Sequence, residues 1–247
     1  MSKKFFFAAA FAAFAFGQAA KAQTNFQTFY DFGEGRGYVT TTLEGFHQDN
    51  WGNTFFFIDY DYNSKNADGK IISPNNTYFE IARCLNFWQG TALAPLSLQV
   101  EYNGGFGTWG NISGEPSAVG GAFAVNSAFL FGVDWFLHSK DFRNTLNLKL
   151  LYKHFVGLES KVPVQFTAVW GLQDLFNLKG VRFSGFVDFW CEGEKLVVLS
   201  EPQLWYNIGG LFGCPNLNIG GEVELSYNFA GMEGFKVMPC LGTKWVF

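Results

Sequence analysis

The sequence predicts an all-β fold: a transmembrane, antiparallel, up-and-down β-barrel of about 12 strands behind an N-terminal export segment. Three observations predict it. Near the C-terminus Leu217, Ile219, Val223, Leu225, Tyr227 and Phe229 alternate with Asn218, Gly220, Glu222, Glu224, Ser226 and Asn228. A period of two gives a strand one apolar and one polar face. Segments of about ten residues with this habit, punctuated by Gly, Asn, Asp and Pro, fill the chain after Gln23. Finally, Lys3 and Lys4 precede an apolar run over 5–16, and Ala20-Lys21-Ala22 places small residues at both cleavage positions. This pattern predicts a signal peptide over 1–22, cut before Gln23, and a barrel over 23–247.

The apolar run is too short to span a bilayer as a helix, and nothing after Gln23 approaches the roughly 18 apolar residues a spanning helix needs. The whole chain has 17 Lys and Arg against 21 Asp and Glu, a formal charge of −4. Removing 1–22 takes away three lysines and no acid, so the mature charge falls to −7. Such an acidic chain is a poor partner for nucleic acid. No linker or charge block divides it. Cys84, Cys191, Cys214 and Cys240 lack metal-type spacing; they are either small wall residues or, in an exported chain, disulfide partners.

In chain order the predicted strands are 26–32, 38–46, 53–62, 77–88, 95–103, 121–136, 143–155, 162–170, 180–191, 196–208, 217–229 and 235–247. The first pair is separated by Gly33, Gly35 and Gly37. The third sets Phe56, Ile58, Tyr60 and Tyr62 against Phe55, Phe57, Asp59 and Asp61. The fifth alternates Leu96, Leu98, Val100 and Tyr102 with Ser97, Gln99, Glu101 and Asn103. The sixth keeps Phe129, Phe131, Val133 and Trp135 in register, and the ninth opposes Val187 and Phe189 to Asp188 and Trp190. The last sets Phe235, Val237, Leu241, Thr243, Trp245 and Phe247 against Lys236, Gly242 and Lys244. Residues 63–76 and 104–120 read as loops, and 171–179 as at most one helical turn. An even number of strands puts both termini at one end. Closure follows from the solvent: lipid offers no partner to backbone N–H and C=O groups, so an open sheet edge is excluded there.

If the apolar face meets lipid, the other face bounds an interior. Its expected charges are Glu44, Asp59, Asp61, Glu80, Glu101, Asp134, Asp188, Glu201, Glu222 and Glu224, with Lys149, Lys153, Arg182, Lys236 and Lys244. Phe55, Phe57, Phe186, Trp190 and Trp205 are interleaved with them. A 12-strand barrel is wider than one that side chains fill and narrower than a general porin. Carboxylates beside rings suit transient contact with a flat polar solute. Glu201, Gln203 and Trp205 fall on one face as an acid, an amide and a ring, either a site or a wall network. Strict alternation from Glu80 sends Arg83 to lipid, at about 2–4 kcal/mol if it lies at midplane. The expectation is therefore a bulge that turns Arg83 inward, to pair with Glu80 or Asp59.

Other chemistries are weakly represented. Asp59 and Asp61 lack a third metal ligand. His47, His138 and His154 fall at strand ends or in loops, with no Ser/His/acid set for a barrel-embedded hydrolase. No P-loop or dinucleotide fingerprint is present. The expectation is a chain without enzyme activity, metal or cofactor.

The closing Trp245-Val246-Phe247 resembles the last strand of bacterial outer-membrane barrels, whose terminal Phe is read by the barrel assembly machinery. Leu43-Glu44, Trp51, the run from Phe55 to Asp61, and Tyr78-Phe79-Glu80-Ile81-Ala82-Arg83 resemble the N-terminal third of Tsx-type nucleoside-specific channel proteins. Tyr227-Asn228-Phe229 is similar to their closing segment. Residues 26–63 also resemble a family of short Bacteroidetes outer-membrane proteins related to Tsx. The likeness implies a 12-strand barrel in a Gram-negative outer membrane, passing nucleosides or similar small polar solutes; a monomer is expected. Lumen contacts would come from Glu44, Phe55, Phe57, Asp59, Asp61, Glu80, Arg83, Arg182, Asp188, Trp190, Glu201, Gln203 and Trp205. The second Glu of the Tsx strand is Ala82 here. A closed structural or surface-binding barrel is the alternative.

Overall fold

The computed structural model describes residues 22–65, 71–110 and 120–247. The predicted signal peptide lies outside them, apart from Ala22. Strands β1 (Ala22–Asp31), β2 (Val39–Asp49) and β3 (Gly52–Tyr62) are followed by a two-strand flap, β4 (Ser64–Lys65) and β5 (Ile71–Ser73). The wall resumes with β6 (Asn76–Leu85), β7 (Leu96–Gly110), β8 (Gly120–His138), β9 (Asn144–Phe155), β10 (Val164–Gln173) and β11 (Val181–Glu192). It finishes with β12 (Lys195–Ser200), β13 (Gln203–Asn207), β14 (Leu217–Tyr227) and β15 (Phe235–Val246).

Each wall strand pairs antiparallel with the next. β12 and β13 share one position between β11 and β14, and β15 returns to β1 from Asn25↔Val246 to Asp31↔Cys240. The result is a closed barrel with twelve wall positions and no free edge, which removes the row of unpaired backbone groups an open sheet presents. The residues that alternation assigned outward are the exposed ones. Val100 is 54% exposed, Phe131 54%, Leu150 56% and Leu241 63%. Their inward neighbours Gln99, Leu130, Leu151 and Cys240 are buried.

Local expectations change at 104–110 and at 196–208. Residues 104–110 extend β7 instead of opening a loop. Gly105 lies so close to the Thr77 carbonyl that any side chain would collide, and Gly107 is covered by the Phe123 ring. These glycines permit close packing in a strand, with a register shift between Asn103 and Gly105. The strand expected over 196–208 breaks at Glu201 and Pro202, because Pro has no N–H for the ladder. A single α-helical turn, Gly209–Phe212, comes after it. All four cysteines are free thiols, and Cys84 and Cys240 are buried in the wall. The turn expected in 171–179 is 3-10, at Leu175–Asn177. There Asp174 accepts the Gly180 N–H at 2.8 Å. That bond, then the Gln173 amide, holds its carboxyl below the usual carboxylate range.

Candidate functional site: the barrel interior

Register fixes which side chains share the interior. Thr42 faces Asp59, which faces Tyr78; Glu44 faces Phe57, which faces Glu80. Arg182 faces Trp205, and Ser184 faces Gln203. Every carboxylate assigned inward from the sequence stands on this face. All but Glu201 and Glu224 are held by three hydrogen-bond networks.

The first runs around β1, β2, β3 and β6. Gln27 Nε2 donates to Asn25 Oδ1 at 2.8 Å, and Asn25 Nδ2 to Glu44 Oε1 at 2.8 Å. Thr42 Oγ1 donates to Asp59, and Thr40 Oγ1 to Asp61 at 2.7 Å. Tyr78 Oη donates to Glu80 Oε1 at 2.6 Å. Short hydroxyl and amide side chains on one strand thus aim the acids of the next.

The second network joins β13, β14 and β15. Gln203 Nε2 donates to Glu222 Oε2 at 2.6 Å, while its Oε1 accepts from Trp205 Nε1 at 2.8 Å and Lys244 Nζ at 3.1 Å. Lys244 Nζ sits 4.5 Å above the Trp205 ring. The third links β7 to β11: Gln99 Nε2 to Glu101 Oε2 at 2.6 Å, Asn147 Nδ2 to Asp134, Lys153 Nζ to Gln165 Oε1 at 2.7 Å, and Thr167 Oγ1 to Asp188.

Two sectors differ in filling. On β8, β9, β11 and β12 the inward residues Ala128, Leu130, Leu151, Phe155, Trp190 and Val197 form an apolar cluster, with Leu158, Leu199 and Phe229 packed against it. On β2, β3 and β6 the inward Glu44, Phe55, Phe57, Asp59, Tyr78 and Glu80 stay partly exposed within the wall. Phe55, Phe57 and Tyr78 form a run of rings with centroids 6.2 and 5.9 Å apart.

This sorting revises the candidate set. Glu44, Phe55, Phe57, Asp59, Asp61, Glu80, Asp188, Glu201 and Gln203 face inward and are partly exposed, and Arg182 is exposed. Trp190 and Trp205 face inward but are covered, at 7% and 1% exposure. Trp190 lies under Lys153 and against Phe229, and Trp205 between Phe29 and Lys244. They are wall residues, unable to stack a solute.

Arg83 is the clear correction. No bulge intervenes: it pairs Thr54 and Val100 in unbroken register and points outward. It lies at the strand end, where Asp49 takes its guanidinium at 2.8 Å and Thr54 at 3.1 Å. At a rim the charge meets water and a carboxylate, so no inward turn is needed. The inward position belongs to Ala82, buried opposite Phe55.

Sequence reasoning missed Arg36. From the connection between β1 and β2 its guanidinium grips Asp31 at 2.8 Å and Glu224 at 2.6 Å. It spans from β1 past β15 to β14, and no local pattern signals so distant a partner. The apolar cluster did leave a trace: Phe129-Leu130-Phe131, Leu150-Leu151 and Leu196-Val197-Val198-Leu199 are apolar on both faces.

No curated protein matches the chain. Solved structures do, at low identity. OpdK of Pseudomonas aeruginosa, crystallised with vanillate, is 8% identical, with 93% of this chain and 98% of that one covered and a TM-score of 0.37. OccK2 (OpdF) of the same organism is 9% identical, with 93% and 98% covered and a TM-score of 0.41. A BenF-like porin of Pseudomonas fluorescens Pf-5 is 8% identical, with 94% and 99% covered and a TM-score of 0.32. Residues 22–247 match the family described as Domain of unknown function (DUF5020), and the chain belongs to that family.

Proposed function

We propose that this chain is a passive outer-membrane channel for small polar solutes, with nucleosides the favoured class. One observation carries the reading: a closed wall whose outward face is apolar and exposed, around an interior whose mid-strand carboxylates and rings remain partly exposed. An apolar belt of this extent would associate in water, whereas in a bilayer it is solvated by acyl chains. Charged groups kept accessible inside the wall imply water there, and a continuous water column is what passive transport requires.

The nucleoside preference draws on the Tsx-type resemblance of residues 43–61 and 78–83. The run of Phe55, Phe57 and Tyr78 between Glu44, Asp59 and Glu80 supports it, offering a ring face and hydrogen-bond acceptors on adjacent strands. Binding would be weak and transient, as release at the far side demands. The lipid bilayer and the barrel assembly machinery, docking at Phe247, are the proposed partners, and the working unit is a monomer. Planar-bilayer recording tests this: steady conductance that added nucleoside reduces supports it, and absence of conductance overturns it. Liposome swelling over nucleosides, sugars and amino acids then ranks the solutes.

The apolar cluster favours a second reading, a barrel closed by its own side chains. Under that reading neither ions nor solutes cross at any concentration.

A further inference from the structure

Three buried oxygens of the interior have nothing to accept. Gln27 Oε1, Asn103 Oδ1 and Glu224 Oε1 lack a donor among the described residues, and these residues are 0%, 3% and 6% exposed. Each stands on the inward face of its strand. Gln27 cannot gain by turning its amide, because Nε2 already serves Asn25. An enclosed acceptor without a donor is unfavourable; among the described inward residues Trp190 Nε1 lacks an acceptor and Ser226 Oγ lacks any partner, so idle oxygens outnumber idle N–H groups.

The charges lean the same way. Among the described residues Glu44, Asp59, Asp61, Glu80, Glu101, Asp134, Asp188, Glu201 and Glu222 enter no ion pair; the inward cations without one, Lys149, Lys153, Arg182 and Lys244, are fewer, and Arg36 is already committed to Asp31 and Glu224. Glu201 lies between β12 and β13 and, by alternation with Val197, Leu199 and Gln203, on the inward side. Glu80 stands on β6, six wall positions from β12 and β13 and so directly across the barrel. Glu201 and Glu80 therefore stand on opposite walls.

The strand breaks at Glu201 and Pro202. Glu201 N donates to Phe186 O at 3.2 Å, Pro202 has no N–H to give, and Gly185 lies so close to the Glu201 carbonyl that any side chain would collide. Glycine and proline together free this point of the wall from the flat ladder.

We infer that the passage selects for cations and for solutes rich in N–H and O–H donors, with Glu201 as the residue that sets this preference. The inference deepens the channel reading and rests on it. Carboxylates facing one another across a narrow, low-dielectric bore concentrate cations and repel anions. The partly exposed carboxylates of the same face, Asp59, Glu80, Glu201 and Glu222, offer acceptors to a solute bearing donors.

Reversal potential in an asymmetric KCl gradient across planar bilayers tests this, using the full-length protein. The wild type is expected to favour K⁺ over Cl⁻ by about threefold or more. Glu201→Gln should lower the ratio by about twofold while conductance persists, and Glu194→Gln, in the outer turn, should leave it unchanged. Glu80→Gln, on the opposite wall, provides a second variant if Glu201→Gln assembles poorly. Tryptamine should reduce the current more than indole-3-acetate at equal concentration. A wild-type ratio of unity or below, or equal block by both indoles, overturns the inference and leaves the channel intact. Absence of any wild-type current overturns both.

Discussion

Inward positions on β8, β9, β11 and β12 and inward positions on β2, β3 and β6 obey the same period of two, yet they make different interiors. In the first sector Leu130, Leu151 and Val197 are each 1% exposed and the side chains meet as a core does. In the second Phe57, Asp59 and Glu80 stay partly exposed, and each acid is steered by a hydroxyl or amide from its own or a neighbouring strand. The pleat is common to both sectors; the side chains set upon it are not. Leucine and valine opposite one another gain by excluding water, while carboxylates opposite one another gain by keeping it. A closed sheet can thus be cemented along one side and left wet along the other.

Substitutions put this contrast at risk in descending order of effect. Leu151→Asp would strand a charge inside the cemented sector. It is expected to destabilise the fold by about 3–5 kcal/mol, whereas Phe57→Asp in the wet sector should change stability by about 1 kcal/mol or less. Urea titration in detergent micelles, monitored by tryptophan fluorescence, checks both; equal losses would abolish the distinction between sectors. Leu150→Arg, one residue along and outward, should lose about 2–4 kcal/mol when the protein refolds into vesicles. Its loss should shrink in micelles, where the charge reaches water.

Lys153 stands on the boundary, bonded to Gln165 and lying 4.2 Å over Trp190. Lys153→Met keeps the packing but leaves Gln165 Oε1 idle, and a loss of about 1–3 kcal/mol is expected by the same titration. Arg83→Ala removes a rim pair open to solvent and should alter stability by no more than about 1 kcal/mol. High salt should erase even that difference, since exposed pairs are screened.

The wall was readable because its signal is local. Alternation in residues 53–62 and 217–229 names the face of every side chain without knowledge of any neighbour, and the register bears this out from Asp59 to Glu224. Details set by other strands were not readable. Residues 104–110 look like a loop in isolation and become strand because Thr77 and Phe123 press upon their glycines. Arg83 turned on its height in the wall, which alternation does not encode. Trp190 and Trp205 were placed on the correct face, but whether water reaches them depends on Lys153, Phe229, Phe29 and Lys244, all brought in from elsewhere in the chain. The grip of Arg36 on Glu224 joins residues 188 apart in sequence.

The joint between β1 and β15 has seven partnered positions, against eleven between β14 and β15. It is also the one joint whose halves are more than two hundred residues apart. Bringing such remote segments together is entropically dearer than closing a short hairpin, by roughly 3 kcal/mol from loop length alone. The cylinder should therefore be zipped at this joint after its hairpins exist, and unzipped there before they part. Amide protons of Phe26, Thr28 and Tyr30, which alternation with Phe32 turns toward β15, should exchange with deuterium sooner than those of Leu148 and Leu150, deep between two long strands.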